Sequence, residues 1–450
     1  MEIILALQNF KKYRSIEFDF SLTCNDPTFV QLRDSIFTSI RPNLGLRKLS
    51  EKKDYLTAAL CNLKRNLLYD SPNIPNFVGV LINKNYYSGI NQKYRLPIQS
   101  YEVVKQVIEE LDNLQLIEFH PGYKGKNSQT GLSSKMRAIG SLQASLSQIG
   151  LNQITTQQPT EFIILKDING NEINYIDTPY TDAIRNDIID YSALRESTVV
   201  SLMNIPVSLI NQSSYLHRYI QSYSKDDLSS LPATGNVDIN VNPEYLVRIF
   251  NTSFNKGGRF YRGVETGMPS DIRTFFQFNN NPTIELDYSG SHLRMLYHRN
   301  NMRINKDPYL IPVYPANPYR DYFKYSSLTM INASSEDSAI RSIMRNSGME
   351  LVQGGYLSSK GLKDSIKKLC DDFKKHHKRI SSAFYSGAGL SLMKIDSEIA
   401  NDILKHFTGM GIFVMCIHDS FIIDKQHEKV LRAKMVDFYK ERVGKSPVIK

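Results

Sequence analysis

The chain has 450 residues, 41% hydrophobic and 10% aromatic, with 24 Gly and 18 Pro. That much apolar side chain repays the entropy of ordering, which excludes wholesale disorder and collagen-like repeats, and the length is too great for one core. With 55 Lys and Arg against 45 Asp and Glu, the net charge of +10 favours an anionic partner such as nucleic acid or nucleotide phosphate.

Cys24, Cys61, Cys370 and Cys416 lie far apart and form no Cys-x-x-Cys pair, so neither a disulfide framework nor a Cys-based zinc site is expected. A reducing compartment such as the cytoplasm is the natural reading. The apolar run at 3–7 is too short for the hydrophobic region of a signal peptide. No apolar stretch approaches the roughly 18 residues that a membrane-spanning helix needs, so no membrane partner is expected.

Along 51–68, Leu56, Ala59, Leu60, Leu63 and Leu67 recur at helical spacing, with basic residues over much of the other face. A second helix is predicted from Ser100 to about Asn113, with Val103, Val104, Val107, Ile108 and Leu111 as its apolar stripe. A strand-like run at 116–119, a turn-rich basic stretch at 121–131 and a second strand-like run at 135–139 follow. That order of helix, strand, wing and strand resembles a winged-helix domain, in which a helix enters a groove and a basic hairpin reaches phosphates. Arg95, Lys105, Lys124, Lys126, Lys135 and Arg137 are candidate nucleic-acid contacts, and solvated surface charge on a protein-binding module fits them equally.

Residues 162–165 read as a strand and 167–172, with Asn169-Gly170, as a hairpin turn. Two helical patterns broken at Pro206 are predicted between 182 and 220, with a domain junction near 235. Three regions are therefore expected: 1–150 with the winged-helix-like domain, 151–245 as a connecting or thumb-like region, and 246–450.

Chemistry concentrates in the last of these. Residues 283–286 read as a strand that delivers Asp287 at its end, with a helix after it. A strand-end carboxylate beside a turn suits a hard cation such as Mg²⁺, which takes oxygen ligands, although a cap or turn former fits as well. In 411–424, two apolar runs flank His418-Asp419-Ser420, a hairpin signature that places a second carboxylate at a sheet turn. A buried carboxylate is costly unless compensated, by a cation or by hydrogen bonds. Between them, Pro318 starts a predicted helix on which Arg320 and Lys324, four residues apart, share one face, with Phe323, Leu328 and Ile331 as its apolar contacts. Asp396 and Glu398 read as N-terminal residues of a helix running to about Phe407. His376-His377 with Cys370 could suggest zinc, but the run 374–379 is basic and reads more readily as a solvated helix.

These elements, in this order, resemble a known superfamily. ELDYSGSHLRMLYH at 285–298 looks like motif A of the family A DNA polymerases, RDYFKYSSL at 320–328 is similar to motif B, and IHDSF at 417–421 looks like motif C of the related single-subunit RNA polymerases. GGRFYRG at 257–263 resembles the Gly-Arg segment that precedes motif A. The resemblance covers about residues 245–450. It implies an α+β fold: a right-hand palm with an antiparallel sheet and helical fingers, beside a mainly helical N-terminal region.

By the same resemblance, Asp287, the Tyr288 backbone carbonyl and Asp419 would bind two Mg²⁺ or Mn²⁺ ions. Arg320 and Lys324 would hold the triphosphate of a nucleotide, and Lys324 would protonate the pyrophosphate leaving group. Arg259 would touch a DNA or RNA template-primer. His292 and Asn332 occupy the positions where the family selects the sugar, and both depart from its Glu and Tyr, so sugar preference is not readable. Arg294 matches the motif A arginine, as an internal partner or a substrate contact. The function implied is a template-directed nucleotidyltransferase, with DNA synthesis for a mobile element as the default. Primer-independent RNA synthesis or priming and template-independent nucleotide addition are variants, and a catalytically silent nucleic-acid-binding initiator is the alternative of another class.

Overall fold

The computed structural model describes residues 14–67, 75–122, 133–150, 153–212, 236–240, 245–315 and 317–450. The chain is a mixed α/β protein with mostly antiparallel sheets, and among the described residues no helix is long and apolar enough to cross a membrane. It divides into two compact units. One comprises residues 1–162, 199–245 and 267–280, the other 163–198, 246–266 and 281–450. The expected middle region, 151–245, is thus no unit of its own but is shared between the two. The junction expected near 235 lies outside the described residues.

The first unit is built on the helix Leu49–Asn66, whose Tyr55, Leu56, Ala59, Leu60 and Leu63 are fully buried. Its basic face is not simply solvated, since Lys64 and Arg65 are buried and donate to the Ser147 and Glu17 carbonyls. The helix Tyr101–Asn113 packs the predicted stripe into the same core. Strands Ile117–His120 and Ser134–Ala138 pair antiparallel, and the second also pairs with Asn76–Val80, which runs parallel to Arg14–Glu17. The wing expectation, including Lys124 and Lys126, falls outside the described residues. Of the two helical patterns predicted on either side of Pro206, the first forms the helix Pro179–Glu196 of the second unit, with a capping box from Thr178 and Thr181, and the second opens as the helix Val207–Gln212, but Val200–Pro206 between them is a strand. Val200, Leu202 and Ile205 are buried there, and pairing with Phe276–Phe278 and Asn236–Asn240 overrides the helical spacing.

In the second unit, strand Val247–Asn251 pairs antiparallel with Ser253–Tyr261 and parallel with Ile163–Lys166. A second, antiparallel sheet sets Ser420–Asp424 between Val414–Ile417 and Asn281–Asp287. Its residues Met415, Cys416, Phe421 and Ile422 are buried on both faces, which explains the continuous apolar runs in the sequence. The helix Gly389–Gly409 buries Leu392, Ile399, Ala400, Ile403 and Phe407. It begins seven residues before Asp396, so Asp396 is interior to the helix rather than at its N-terminus. Helix Asn317–Asn332 buries Phe323, Met330 and Ile331, while Leu328 is exposed.

Candidate active site

Asp287 is the last residue of its strand and lies opposite Ser420, with Leu286 opposite Phe421. A two-residue loop, His418-Asp419, joins the neighbouring strands; His418 takes the left-handed conformation with φ of 59°, which turns the chain tightly enough to set Asp419 beside the end of Asp287's strand. The Tyr288 N–H donates to the Asp419 carbonyl at 3.2 Å. In extended backbone a residue's N–H and C=O leave on the same side, so the Tyr288 carbonyl also faces the Asp419 edge. The Tyr288 ring is anchored by its hydroxyl, which donates to the Met435 carbonyl at 2.6 Å.

The electrostatics are those of a crowded acidic pair. Burial, then the charges of Asp419 and Glu285, push the Asp287 carboxyl up to about 7, against the opposing pull of Lys324 and Lys450. Burial and the nearby Asp396 raise Asp419 as well, partly offset by Arg259 and His292. Among the described residues neither carboxylate has an ion-pair partner. Two partly desolvated carboxylates with a backbone carbonyl at their edge fit a hard divalent cation that keeps several waters, since Mg²⁺ is usually held by one or two carboxylates plus substrate oxygens. Among the described residues there is no cluster of three or more His, Cys, Asp or Glu that could hold a metal, so a zinc-like cage is not present there.

Asp396 is the residue that sequence reasoning missed. It is 2% exposed and accepts from Arg259, whose Nε lies 3.1 and 3.2 Å from its two oxygens and whose Nη2 also contacts it. His292 Nε2 lies 3.0 Å from the same carboxylate and 3.1 Å from Arg259 Nη2. The Asp396 carboxylate only accepts, so the bond between them forms with the proton on Nε2, which donates to Asp396 beside the second donor Arg259 Nη2. His292 Nδ1 is then buried with no hydrogen-bond partner among the described residues. Burial pushes the Asp396 carboxyl up, but the bonds from His292 and Arg259 outweigh it and hold it below the usual range. No local pattern marked this residue, because only the burial of its helix makes the carboxylate a hub.

The helix that carries Asp396 is fixed to the strands Val247–Asn251 and Ser253–Tyr261. The wholly buried Arg248 donates to the Gly258 carbonyl at 2.7 Å, to Glu398 at 2.7 Å and to Asn401 at 3.1 Å, with its guanidinium over the Phe250 and Phe260 rings. Ser397 donates to the Gly257 carbonyl. Gly258 has φ of 87°, and a Cβ there would stand 2.6 Å from the Phe250 ring, so this close approach needs glycine. Glu398 is therefore a structural partner of Arg248 and Lys394, not a helix-terminal charge.

Arg259 is engaged inside the protein rather than free for a nucleic-acid backbone, at 15% side-chain exposure. Arg320 is held by Asp307, with Nε and Nη2 at 2.9 and 2.7 Å from one oxygen. Lys324, one turn along the same helix, is exposed and has no ion-pair partner among the described residues. Asn332 donates to the Leu328 carbonyl and packs against Gly389. Arg294 staples the loop after the helix Ser291–Arg299, donating to the Ser289, Ile304 and Lys306 carbonyls.

No family model and no curated protein matches this chain.

Of the remaining candidates, Lys135, Arg137, Arg95 and Lys105 are integrated into the first unit. Lys135 is buried, which lowers its ammonium below the ordinary value. Arg137 is paired with Glu118 at 2.6 Å and lies over the Phe77 ring. Arg95 donates to the Gln99 carbonyl, and Lys105 pairs with Glu109 at 3.6 Å. His377 is buried between Tyr297 and the Pro308 carbonyl, and burial drives it to about 4. His377 and Cys370 are thus packed into the interior of the second unit, not on the solvated face that the basic run suggested.

Proposed function

We propose that this protein is a template-directed nucleotidyltransferase, extending a DNA or RNA primer with nucleoside triphosphates in a palm built on the sheet of residues 281–287, 414–417 and 420–424. The observation that carries the reading is the pair of partly desolvated carboxylates, Asp287 and Asp419, brought together from neighbouring strands without a counter-cation among the described residues. Asp287, Asp419 and the Tyr288 carbonyl would hold Mg²⁺ or Mn²⁺. Two such ions, when bound, supply activation of the attacking oxygen and stabilisation of the leaving one.

The protein's own groups divide the rest of the work. Lys324, exposed on the helix Asn317–Asn332 and close enough to lower the Asp287 carboxyl, is placed to neutralise the triphosphate and give a proton to departing pyrophosphate. Arg320 joins it when a phosphate competes with Asp307. Arg259, held by Asp396, lends its positive charge to the surroundings of Asp419. The net charge of +10 fits a polyanionic partner.

One observation favours a second reading, that of a catalytically silent nucleic-acid binder: both arginines assigned to substrate are tied up by internal carboxylates. Purified protein incubated with Mg²⁺, a labelled primer-template and either all dNTPs or all NTPs decides between them. Extension that is lost in Asp287→Ala and in Asp419→Ala supports the polymerase and names its sugar. Nucleic-acid binding with no extension from any primer or template supports the binder.

A further inference from the structure

Residues 448–450 form an added strand against the reactive end of residues 281–287. The Asp287 N–H donates to the Lys450 carbonyl at 3.1 Å, and the Lys450 N–H returns a bond to the Asp287 carbonyl at 2.9 Å. Tyr288 bridges antiparallel to Ile449, and the Ser289 N–H donates to the Val448 carbonyl at 2.9 Å. Arg432 Nη1 donates to the Ile449 carbonyl and ties the strand to the helix Glu428–Val443. Asp287 is thus flanked on both sides, by Ser420 and by Lys450.

Register decides which way Lys450 points. Two residues that exchange both backbone bonds are directly opposite, about 5.5 Å apart at Cα, and their side chains leave on the same face of the sheet. Lys450 therefore shares a face with Asp287 and Ser420. It is exposed, and among the described residues its ammonium has no ion-pair partner. Its charge is felt at Asp287 and also at Asp307, the carboxylate that holds Arg320.

We propose that Lys450 belongs to the nucleotide site: the strand of residues 448–450 seats it opposite Asp287, where its ammonium binds the phosphate chain of a nucleoside triphosphate together with Lys324. The assignment rests on the polymerase reading. A nucleoside triphosphate brings about four negative charges to a site that already holds the two aspartates, and two divalent ions leave part of that charge uncompensated. Arg320 is engaged by Asp307, whereas Lys324 and Lys450, whose charges are felt at Asp287, have no ion-pair partner among the described residues.

The test measures inorganic tripolyphosphate and nucleoside triphosphate binding by calorimetry, with Mg²⁺ and with EDTA, beside primer extension, for wild type, Lys450→Ala, Lys450→Arg and the remote control Lys429→Ala. Loss of a charge-assisted phosphate contact predicts about tenfold weaker binding of both ligands in Lys450→Ala. Lys450→Arg and Lys429→Ala should stay within about threefold of wild type, and the nucleotide KM should rise in Lys450→Ala with kcat nearly kept. Unaltered thermal unfolding in Lys450→Ala shows that the added strand remains in place. Equal triphosphate affinity in wild type and Lys450→Ala, with wild type extending primers, overturns the role of Lys450 and leaves the polymerase reading standing. A wild type that neither binds triphosphate nor extends a primer overturns both.

Discussion

Replacing Asp287 by asparagine should stabilise the cation-free protein. Burial and the charges of Asp419 and Glu285 move this carboxyl from its usual 3.8 to about 7 in the folded state. The folded protein then holds the proton more tightly than the unfolded chain, so stability falls as pH rises from about 4 through about 7. A displacement of this size is worth about 4 kcal/mol at full effect, at about 1.4 kcal/mol per pH unit, and water reaching the partly accessible carboxyl reduces it to about 2–3 kcal/mol. Urea denaturation in EDTA at pH 8 should find Asp287→Asn more stable than wild type by that amount, with the gap closing toward pH 4. Mg²⁺ should then recover stability in wild type through binding to the native state, and much less in the variant. A variant less stable than wild type at pH 8, or a gap that does not change with pH, would refute the claim that Asp287 stands desolvated among like charges.

Two further outcomes follow from the charge network. Asp396→Asn leaves the guanidinium of Arg259 without its counter-charge in a buried place, and should lose about 3 kcal/mol in urea denaturation, part of which Arg259→Met in the same chain restores. Asp307→Asn should change stability by less than about 1 kcal/mol, because the pair it breaks is partly solvated. It should tighten triphosphate binding several-fold by freeing Arg320, and weaker binding in calorimetry would show that Asp307 serves the ligand rather than competing for it.

Much of the site's placement was legible in the sequence. The position of Asp287 at a strand end and of Asp419 in a hairpin turn followed from apolar runs that stop at polar residues. The shared face of Arg320 and Lys324 followed from helical spacing. What could not be read was who meets whom across the fold. Asp396 looks like any acidic residue of a charged helix until that helix is buried, and Asp307 gives no local sign that it holds Arg320. Lys450 lies beyond every motif and reaches Asp287 only through backbone pairing, which leaves no trace in residue type. In the first unit the same limit hid the burial of Lys64 and Arg65, since spacing places basic residues opposite the apolar stripe without saying what covers them. It also hid the strand Val200–Pro206, where pairing with two neighbours outweighed a helical pattern.

The site hangs on pairing register at two edges of one short strand, and this separates two kinds of mutation. A substitution at Ile284, Leu286 or Phe421 changes packing but leaves each side chain on its own face. A single inserted or deleted residue within 281–287 shifts the ladder by one and sends Asp287 to the opposite face from Ser420 and Lys450. Descendants of this chain that keep the chemistry should therefore vary freely in amino-acid type around the sheet while holding its lengths constant, and gaps should accumulate only in the connecting loops.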